Sequence, residues 1–92
     1  MTSKEIKKQP IKSSKRKVLK EYYLVLHNDN VHTFDYVINA LIDICGHAHE
    51  QAAQCTIIAH YKGKCDIKKG VFETLKQMKE VLLERELNVT IN

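Results

Sequence analysis

The amino-acid sequence predicts an α+β fold in which three helices pack on a small, mainly antiparallel sheet of three strands. Three segments repeat apolar residues every three or four positions, which is the spacing of amphipathic helices. Segments with strand-forming patterns stand before, between and after them, so the predicted element order is β-α-α-β-α-β. A chain of 92 residues has room for one small domain, and helices laid on one face of a sheet are the natural packing for this order.

The first strand is predicted at residues 22–27, where the sequence reads Tyr-Tyr-Leu-Val-Leu-His. Aromatic and β-branched residues favour strands, whereas the polar cluster that follows, Asn28, Asp29 and Asn30, favours a turn. We therefore expect a buried strand that ends in a polar loop.

Two helices are predicted after this loop. In the first, apolar side chains recur at steps of three and four between positions 34 and 45. Thr33 is suited to cap its start, and Gly46 is suited to end it. The second helix is predicted over residues 48–61, with Gly63 beyond its end. One face of this helix carries small residues, which let a neighbouring element approach closely: Ala52, Cys55, Thr56 and Ala59.

The rest of the chain predicts a strand, a helix and a final strand. Residues 64–69 form a short segment whose strand pattern is weak. After Gly70, apolar residues again follow helical spacing up to Leu82. Apolar and polar residues then alternate over positions 87–92, which is typical of a half-buried strand.

Charge is divided unevenly along the chain. Residues 1–20 contain eight of the 15 Lys and Arg residues and one acid, so this segment carries +7, whereas residues 21–92 carry −3. The segment is polar and rich in Lys and Ser, which predicts a disordered basic extension before a domain at residues 21–92. Such a tail can attract nucleic acid electrostatically. Because it lacks interleaved aromatic residues and nucleic-acid motifs, no specific nucleic-acid partner is predicted.

Several function classes find no support in the sequence. No apolar run approaches the roughly 18 residues of a membrane helix, and no apolar signal core follows the charged N-terminus, so neither membrane insertion nor secretion is predicted. Three cysteines without a CxxC pair favour a reduced, cytoplasmic compartment. Cys45, His47 and His49 lack the fourth ligand of a zinc site, and no catalytic motif is present. We therefore predict no metal, no cofactor and no enzymatic activity.

The loop after the first strand and a histidine near the end of the second helix offer acceptors for a cation. Asn28 presents a carbonyl oxygen, Asp29 an anionic carboxylate and His60, when neutral, one ring nitrogen. Three acceptors match the three donors of a primary ammonium group. The same residues fit ordinary structural roles, because Asn and Asp favour simple turns and a histidine is favourable near a helix C-terminus. The residues alone leave both interpretations open.

The order and spacing of these segments resemble the ClpS adaptor family. The resemblance covers about residues 22–72, with a weaker match over residues 87–92, and the spacing from the Asn-Asp pair to the histidine agrees without gaps. It rests on Leu24-Val25-Leu26-His27-Asn28-Asp29-Asn30, on Tyr36-Val37-Ile38 with Leu41, and on Glu50-Gln51-Ala52-Ala53-Gln54 followed after five residues by His60-Tyr61-Lys62-Gly63-Lys64.

The resemblance implies an adaptor that binds N-degron substrates, which are proteins with a free N-terminal Leu, Phe, Tyr or Trp. Such adaptors deliver their substrates to a AAA+ unfoldase of the Clp protease, usually ClpA, for degradation. Asn28, Asp29 and His60 match the positions that hold the α-amino group and the first peptide bond. The alternative function is a small protein-interaction or nucleic-acid-binding domain that uses its basic tail. Six further residues match positions of the side-chain pocket: His32, Phe34, Val37, Thr56, Ala59 and Leu87.

Departures from the family pattern concentrate at this pocket. The family usually has Asp at Asn30, Thr-Pro at His32-Thr33, Met at Phe34 and at Thr56, and often Val at Ala59. Compared with that pattern, Phe34 is a larger rim residue, and Thr56 and Ala59 are smaller wall residues, which reshapes the space for the bound side chain. We therefore expect flat aromatic side chains to be favoured over β-branched ones.

Overall fold

The computed structural model describes residues 20–92, and residues 1–19, which hold most of the predicted basic extension, lie outside the described residues. The α+β prediction is confirmed, because three helices and one antiparallel three-stranded sheet follow each other in the predicted order within this range. None of the helices in residues 20–92 is long and apolar enough to cross a membrane. The elements are β1 (Tyr22–His27), α1 (Phe34–Cys45), α2 (His49–Lys62), β2 (Lys64–Gly70), α3 (Phe72–Glu84) and β3 (Val89–Ile91).

β1 is the central strand of the sheet, and it pairs antiparallel with β2 on one side and β3 on the other. Leu24 and Leu26 of β1 are buried in the core that the helices share with the sheet. The pairing with β2 shifts between Leu24 and Val25 and skips Ile67, which forms a bulge. An extra residue interrupts the two-residue alternation of a strand, and this is why the sequence pattern of β2 is weak.

Both α1 and α2 end where the sequence predicts. The Thr33 hydroxyl accepts a hydrogen bond from the backbone N–H of Tyr36 at 3.1 Å and thereby caps the start of α1. Gly46 and Gly63 follow the two helices with φ angles of 72° and 96°. Glycine adopts this left-handed conformation without the steric penalty of a side chain, so both helices stop there.

The buried face of α2 consists of short side chains, as predicted. Short side chains let the helix backbone pack closely on α1 and the sheet, where large leucines such as Leu41 and Leu75 fill the remaining space. This packing places the last turns of α2 beside the end of β1. The residues of this face are at most 8% exposed: Ala52, Cys55, Thr56 and Ala59.

The end of α3 differs from the predicted strand over residues 87–92. Glu86 has a φ of 65°, and its N–H donates to the Leu83 carbonyl at 2.8 Å. The Leu87 N–H donates to the Leu82 carbonyl at 3.1 Å, so the two bonds form a Schellman motif. Leu87 is buried against the core as part of this motif. The predicted strand start was therefore wrong, and β3 begins only at Val89.

A buried histidine ties the connection between α1 and α2 to β2. His47 is 5% exposed, and its Nε2 donates a hydrogen bond to the Ile67 carbonyl at 2.6 Å. The bond supplies a donor to the carbonyl of the bulged residue. The other ring nitrogen, Nδ1, is buried without a hydrogen-bond partner among the described residues.

Candidate functional site

The loop after β1 and the last two turns of α2 meet at one cavity. The backbone N–H of Asn28 donates to the Gly63 carbonyl at 2.9 Å, and this bond joins the loop to the end of α2. The cavity has a volume of about 300 Å³, including the space at its mouth that is open to solvent. Its lining includes eight of the nine residues proposed from the sequence: Asn28, Asp29, His32, Phe34, Val37, Thr56, Ala59 and His60.

The ninth residue, Leu87, is not part of the cavity lining. It is 2% exposed and packs in the core, where it completes the Schellman motif at the end of α3. Its role in the side-chain pocket stays a prediction.

The Asp29 carboxylate is the negative charge of the cavity, and it also makes a turn. Its Oδ1 accepts hydrogen bonds from the backbone N–H groups of Val31 and His32, both at 2.9 Å, and its Oδ2 lies 3.1 Å from His32 Nδ1. Burial opposes ionisation of Asp29, but the hydrogen bonds from His32 and Val31 outweigh burial and hold its pKa below the ordinary value of 3.8. Asp29 thus makes an ordinary turn and also lines the cavity.

His32 is held in place from both sides. Its ring stacks on Tyr36, with ring centroids 4.6 Å apart and an interplanar angle of 12°. The Tyr36 hydroxyl donates to the Arg85 carbonyl at 2.9 Å, which anchors the stack to the end of α3. The side chain of His32 is 13% exposed, so its imidazole is largely enclosed between Tyr36 and Asp29.

His60 and Phe34 both line the cavity, and they contact each other. Their rings meet edge to face at 5.2 Å between centroids, and Tyr61 makes a second such contact with His60 at 4.8 Å. His60 is exposed, and the side chain of Phe34 remains 42% exposed. An exposed imidazole at the rim is accessible to a ligand, which a histidine buried in the core is not.

The wall of the cavity is apolar. Val37 and Ala59 are buried and offer only hydrocarbon. Thr56 is buried too, and its hydroxyl donates to the Ala52 carbonyl at 2.8 Å within α2. Since that hydroxyl is already paired, Thr56 presents no unpaired donor to a ligand side chain.

Two further residues, Leu26 and His27, line the cavity and were not proposed from the sequence. They are the last two residues of β1, and their position immediately before the polar loop was the available signal. His27 Nε2 lies 2.8 Å from the Thr90 hydroxyl, so the cavity is connected to β3 through this residue. Within residues 20–92, no three His, Cys, Asp or Glu side chains form a cluster suited to a metal ion.

A family model described as the ATP-dependent Clp protease adaptor protein ClpS matches residues 17–90. The chain belongs to the ClpS family. The resemblance over residues 22–72 is therefore confirmed, and it lies entirely inside the matched range. No curated protein matches the chain.

A solved structure supports the ClpS fold. The chain is similar to Agrobacterium tumefaciens ClpS2 bound to L-phenylalaninamide, with a TM-score of 0.70 and 18% sequence identity. The similarity covers 79% of this chain and 95% of the ClpS2 chain. At this identity the likeness shows a shared fold, and the ligand belongs to the A. tumefaciens protein.

Proposed function

We propose that this ClpS protein binds the N-terminal residue of other proteins in the cavity between the β1 loop and α2, and delivers these substrates to a AAA+ unfoldase of the Clp protease in the cytoplasm. The observation that carries the proposal is one cavity in which an ionised Asp29 and an accessible His60 stand beside an apolar wall. An N-terminal residue has the matching parts, an ammonium group and a side chain. L-Phenylalaninamide, the ligand of A. tumefaciens ClpS2, also has a free α-amino group and an aromatic side chain.

The polar side of the cavity has the groups needed to bind an ammonium. Asp29 contributes the negative charge, Asn28 a carbonyl acceptor and His60 a ring nitrogen that accepts only while the imidazole is neutral. Each charge-assisted hydrogen bond contributes about 1.5–3 kcal/mol, and burial of one large apolar side chain contributes about 1.5–3 kcal/mol more. Loss of translational and rotational freedom opposes binding by about 4–15 kcal/mol. At the favourable ends of these ranges, three such bonds and one buried side chain leave about −8 kcal/mol, which is a Kd in the micromolar range.

The amine requirement is tested with two peptides that differ in one group. A fluorescent peptide that begins with Phe should bind in an anisotropy titration, and its N-acetylated twin should not, because acetylation removes the charge and two donors. Asn28→Ala and His60→Ala should weaken binding at least about tenfold, the loss of one charge-assisted bond. Asn39→Ala, an exposed position in the middle of α1, is the matched control and should bind as the wild type does. Equal affinity for the two peptides would disprove amine recognition.

The shape of the wall predicts the preferred side chain. Phe34 narrows the rim, whereas Thr56 and Ala59 leave room deeper in the cavity, so Phe, Tyr, Trp and Leu should bind better than the β-branched residues Ile and Val. A peptide array with all N-terminal residues measures the order directly. A preference for Ile or Val would contradict this description of the cavity.

Delivery is a separate step with its own assay. A fluorescent protein with an N-terminal Phe should be degraded by a ClpA-like unfoldase and its peptidase only when this ClpS protein is present. Removal of residues 1–20, which carry a charge of +7, should leave peptide binding intact and impair degradation. If the shortened chain delivers as well as the full chain, the tail has no role in delivery. Tail-dependent, strongly salt-sensitive binding to DNA without peptide binding would favour the nucleic-acid alternative.

A further inference from the structure

We propose that His32 is a positioning residue that holds Asp29 ready for the ammonium group of the bound substrate, and that protonation of His32 weakens substrate binding. This inference rests on the proposed function and adds an acid-sensitive step to it. Its basis is the arrangement of His32, whose ring is paired with the Asp29 carboxylate and stacked on Tyr36. Binding of an ammonium group does not by itself require this arrangement.

The hydrogen bonds of Asp29 determine which of its acceptor positions remain for a ligand. Both acceptor positions of Oδ1 are occupied by the backbone N–H groups of Val31 and His32. Oδ2 receives the His32 Nδ1 at 3.1 Å, so one acceptor position of Oδ2 is left for an ammonium. A carboxylate bonded by three donors has a defined orientation, and the free position therefore points in one direction.

The ring of His32 cannot easily leave this position. Tyr36 lies parallel to it at 4.6 Å, and the Tyr36 hydroxyl is itself bonded to the Arg85 carbonyl. Rotation of the imidazole away from Asp29 would break both the stacking and the hydrogen bond. His32 thus acts on the ligand through Asp29, not by contact alone.

The charge of the pair depends on one proton. With a neutral imidazole that donates from Nδ1, the pair carries −1 and attracts an ammonium. With an imidazolium, the pair is neutral overall, and the ring places a positive charge next to the amine site. Asp29 remains ionised throughout the range in which histidine titrates, because its hydrogen bonds favour the charged carboxylate. Acidification through that range therefore leaves the charge of the carboxylate unchanged.

Other groups around the ring must be separated from this effect. Protonation of His60 would remove its acceptor nitrogen, so it would weaken binding in the same direction as protonation of His32. His27 is bonded to the Thr90 hydroxyl. Arg85 is turned toward Asp43, with 3.4 Å between its guanidinium and the carboxylate. The ionisable side chains that share the cavity or contact the His32 ring come from four parts of the fold: His27 of β1, Asp29 of the loop, Tyr36 of α1 and His60 of α2.

Two substitutions separate the hydrogen bond from the titration. His32→Asn keeps an amide donor near the place of Nδ1 but does not titrate, and His32→Phe keeps a ring on Tyr36 but has no donor. His49→Gln removes an exposed histidine at the start of α2, outside the cavity, and is the control. The Kd of the full-length protein for the Phe-initiated peptide is measured from about pH 5 to pH 7, where histidine titrates and the peptide amine stays charged. Circular dichroism at each pH is the check that every variant is folded.

The expected results follow from proton linkage. In the wild type, log Kd should rise on acidification, and it should rise less steeply in His32→Asn, which has no proton to take up at this position. His49→Gln should keep the wild-type slope. At pH 7, His32→Phe should bind about ten- to a hundredfold more weakly than His32→Asn, which keeps a donor for Asp29.

Two outcomes would overturn the inference while leaving the proposed function intact. Equal slopes for the wild type and His32→Asn would show that the His32 proton is not linked to binding. Wild-type affinity of His32→Phe at pH 7 would show that Asp29 does not need the hydrogen bond. A wild-type protein that fails to bind the Phe-initiated peptide at pH 7 would instead overturn the proposed function, and the inference with it.

Discussion

Replacing Asp29 by asparagine tests whether the turn that shapes the site also stabilises the fold. The substituted side chain would keep a carbonyl oxygen for the two backbone N–H groups but lose the negative charge that strengthens these hydrogen bonds. A hydrogen bond to a charged acceptor contributes about 1.5–3 kcal/mol, whereas one to a neutral acceptor contributes about 0.5–1.5 kcal/mol. The Asp29 side chain is 20% exposed, so solvent screens part of this effect and we expect a loss of about 1 kcal/mol at pH 7. For a domain of this size the melting temperature should fall by about 4–8 °C.

The pH dependence of the unfolding free energy tests independently whether the charge of Asp29 is stabilising. The hydrogen bonds hold the pKa of folded Asp29 below 3.8, the ordinary value of a carboxyl in an unfolded chain. The stabilisation is therefore complete above that value and is lost as the pH falls through the lower pKa of the folded state. The difference in unfolding free energy between the wild type and Asp29→Asn should shrink to zero in strong acid.

The assay is urea unfolding followed by far-ultraviolet circular dichroism from neutral pH down to about pH 2. Asp66→Asn is the matched control, because Asp66 is exposed on β2 and its carboxylate makes no hydrogen bond within residues 20–92. Asp66→Asn should lower the free energy of unfolding by less than about 0.5 kcal/mol, as substitutions at exposed positions usually do. An Asp29→Asn protein as stable as the wild type at pH 7, or a difference that persists below the pKa of Asp29, would refute the reasoning.

Three further predictions concern the fold and its thiols. Glu86→Gly should raise the free energy of unfolding by about 0.5–1 kcal/mol in thermal melts, because glycine adopts the φ of 65° without strain, and Glu86→Ala should not. With an aromatic disulfide reagent, Cys65 should react first. Burial raises the pKa of Cys45 to about 11 and that of Cys55 to about 12, so fast modification of either would contradict their burial. His47→Ala should lower stability by about 1–3 kcal/mol in urea titrations, since it leaves the Ile67 carbonyl without its donor, and an unchanged midpoint would argue against that bond.

The sequence by itself determined the element order and most element ends. Helical spacing in α1, the capping hydroxyl of Thr33 and the left-handed glycines act over a few neighbouring residues, so they can be read along the chain. The family resemblance added the site residues, because shared spacing carries information that single residues do not. Eight of the nine proposed positions lie around one cavity.

Only the tertiary structure decided how those residues act together. The bulge at Ile67 and the Schellman motif that buries Leu87 depend on what the strands and α3 pack against, and no local pattern encodes that. The ring of His32 that pairs with Asp29 is also stacked on Tyr36, which is anchored at Arg85, 49 positions further along the chain. Periodicity and capping depend on adjacent residues, whereas the charge and shape of the cavity depend on contacts between distant segments, which form only when the core is packed.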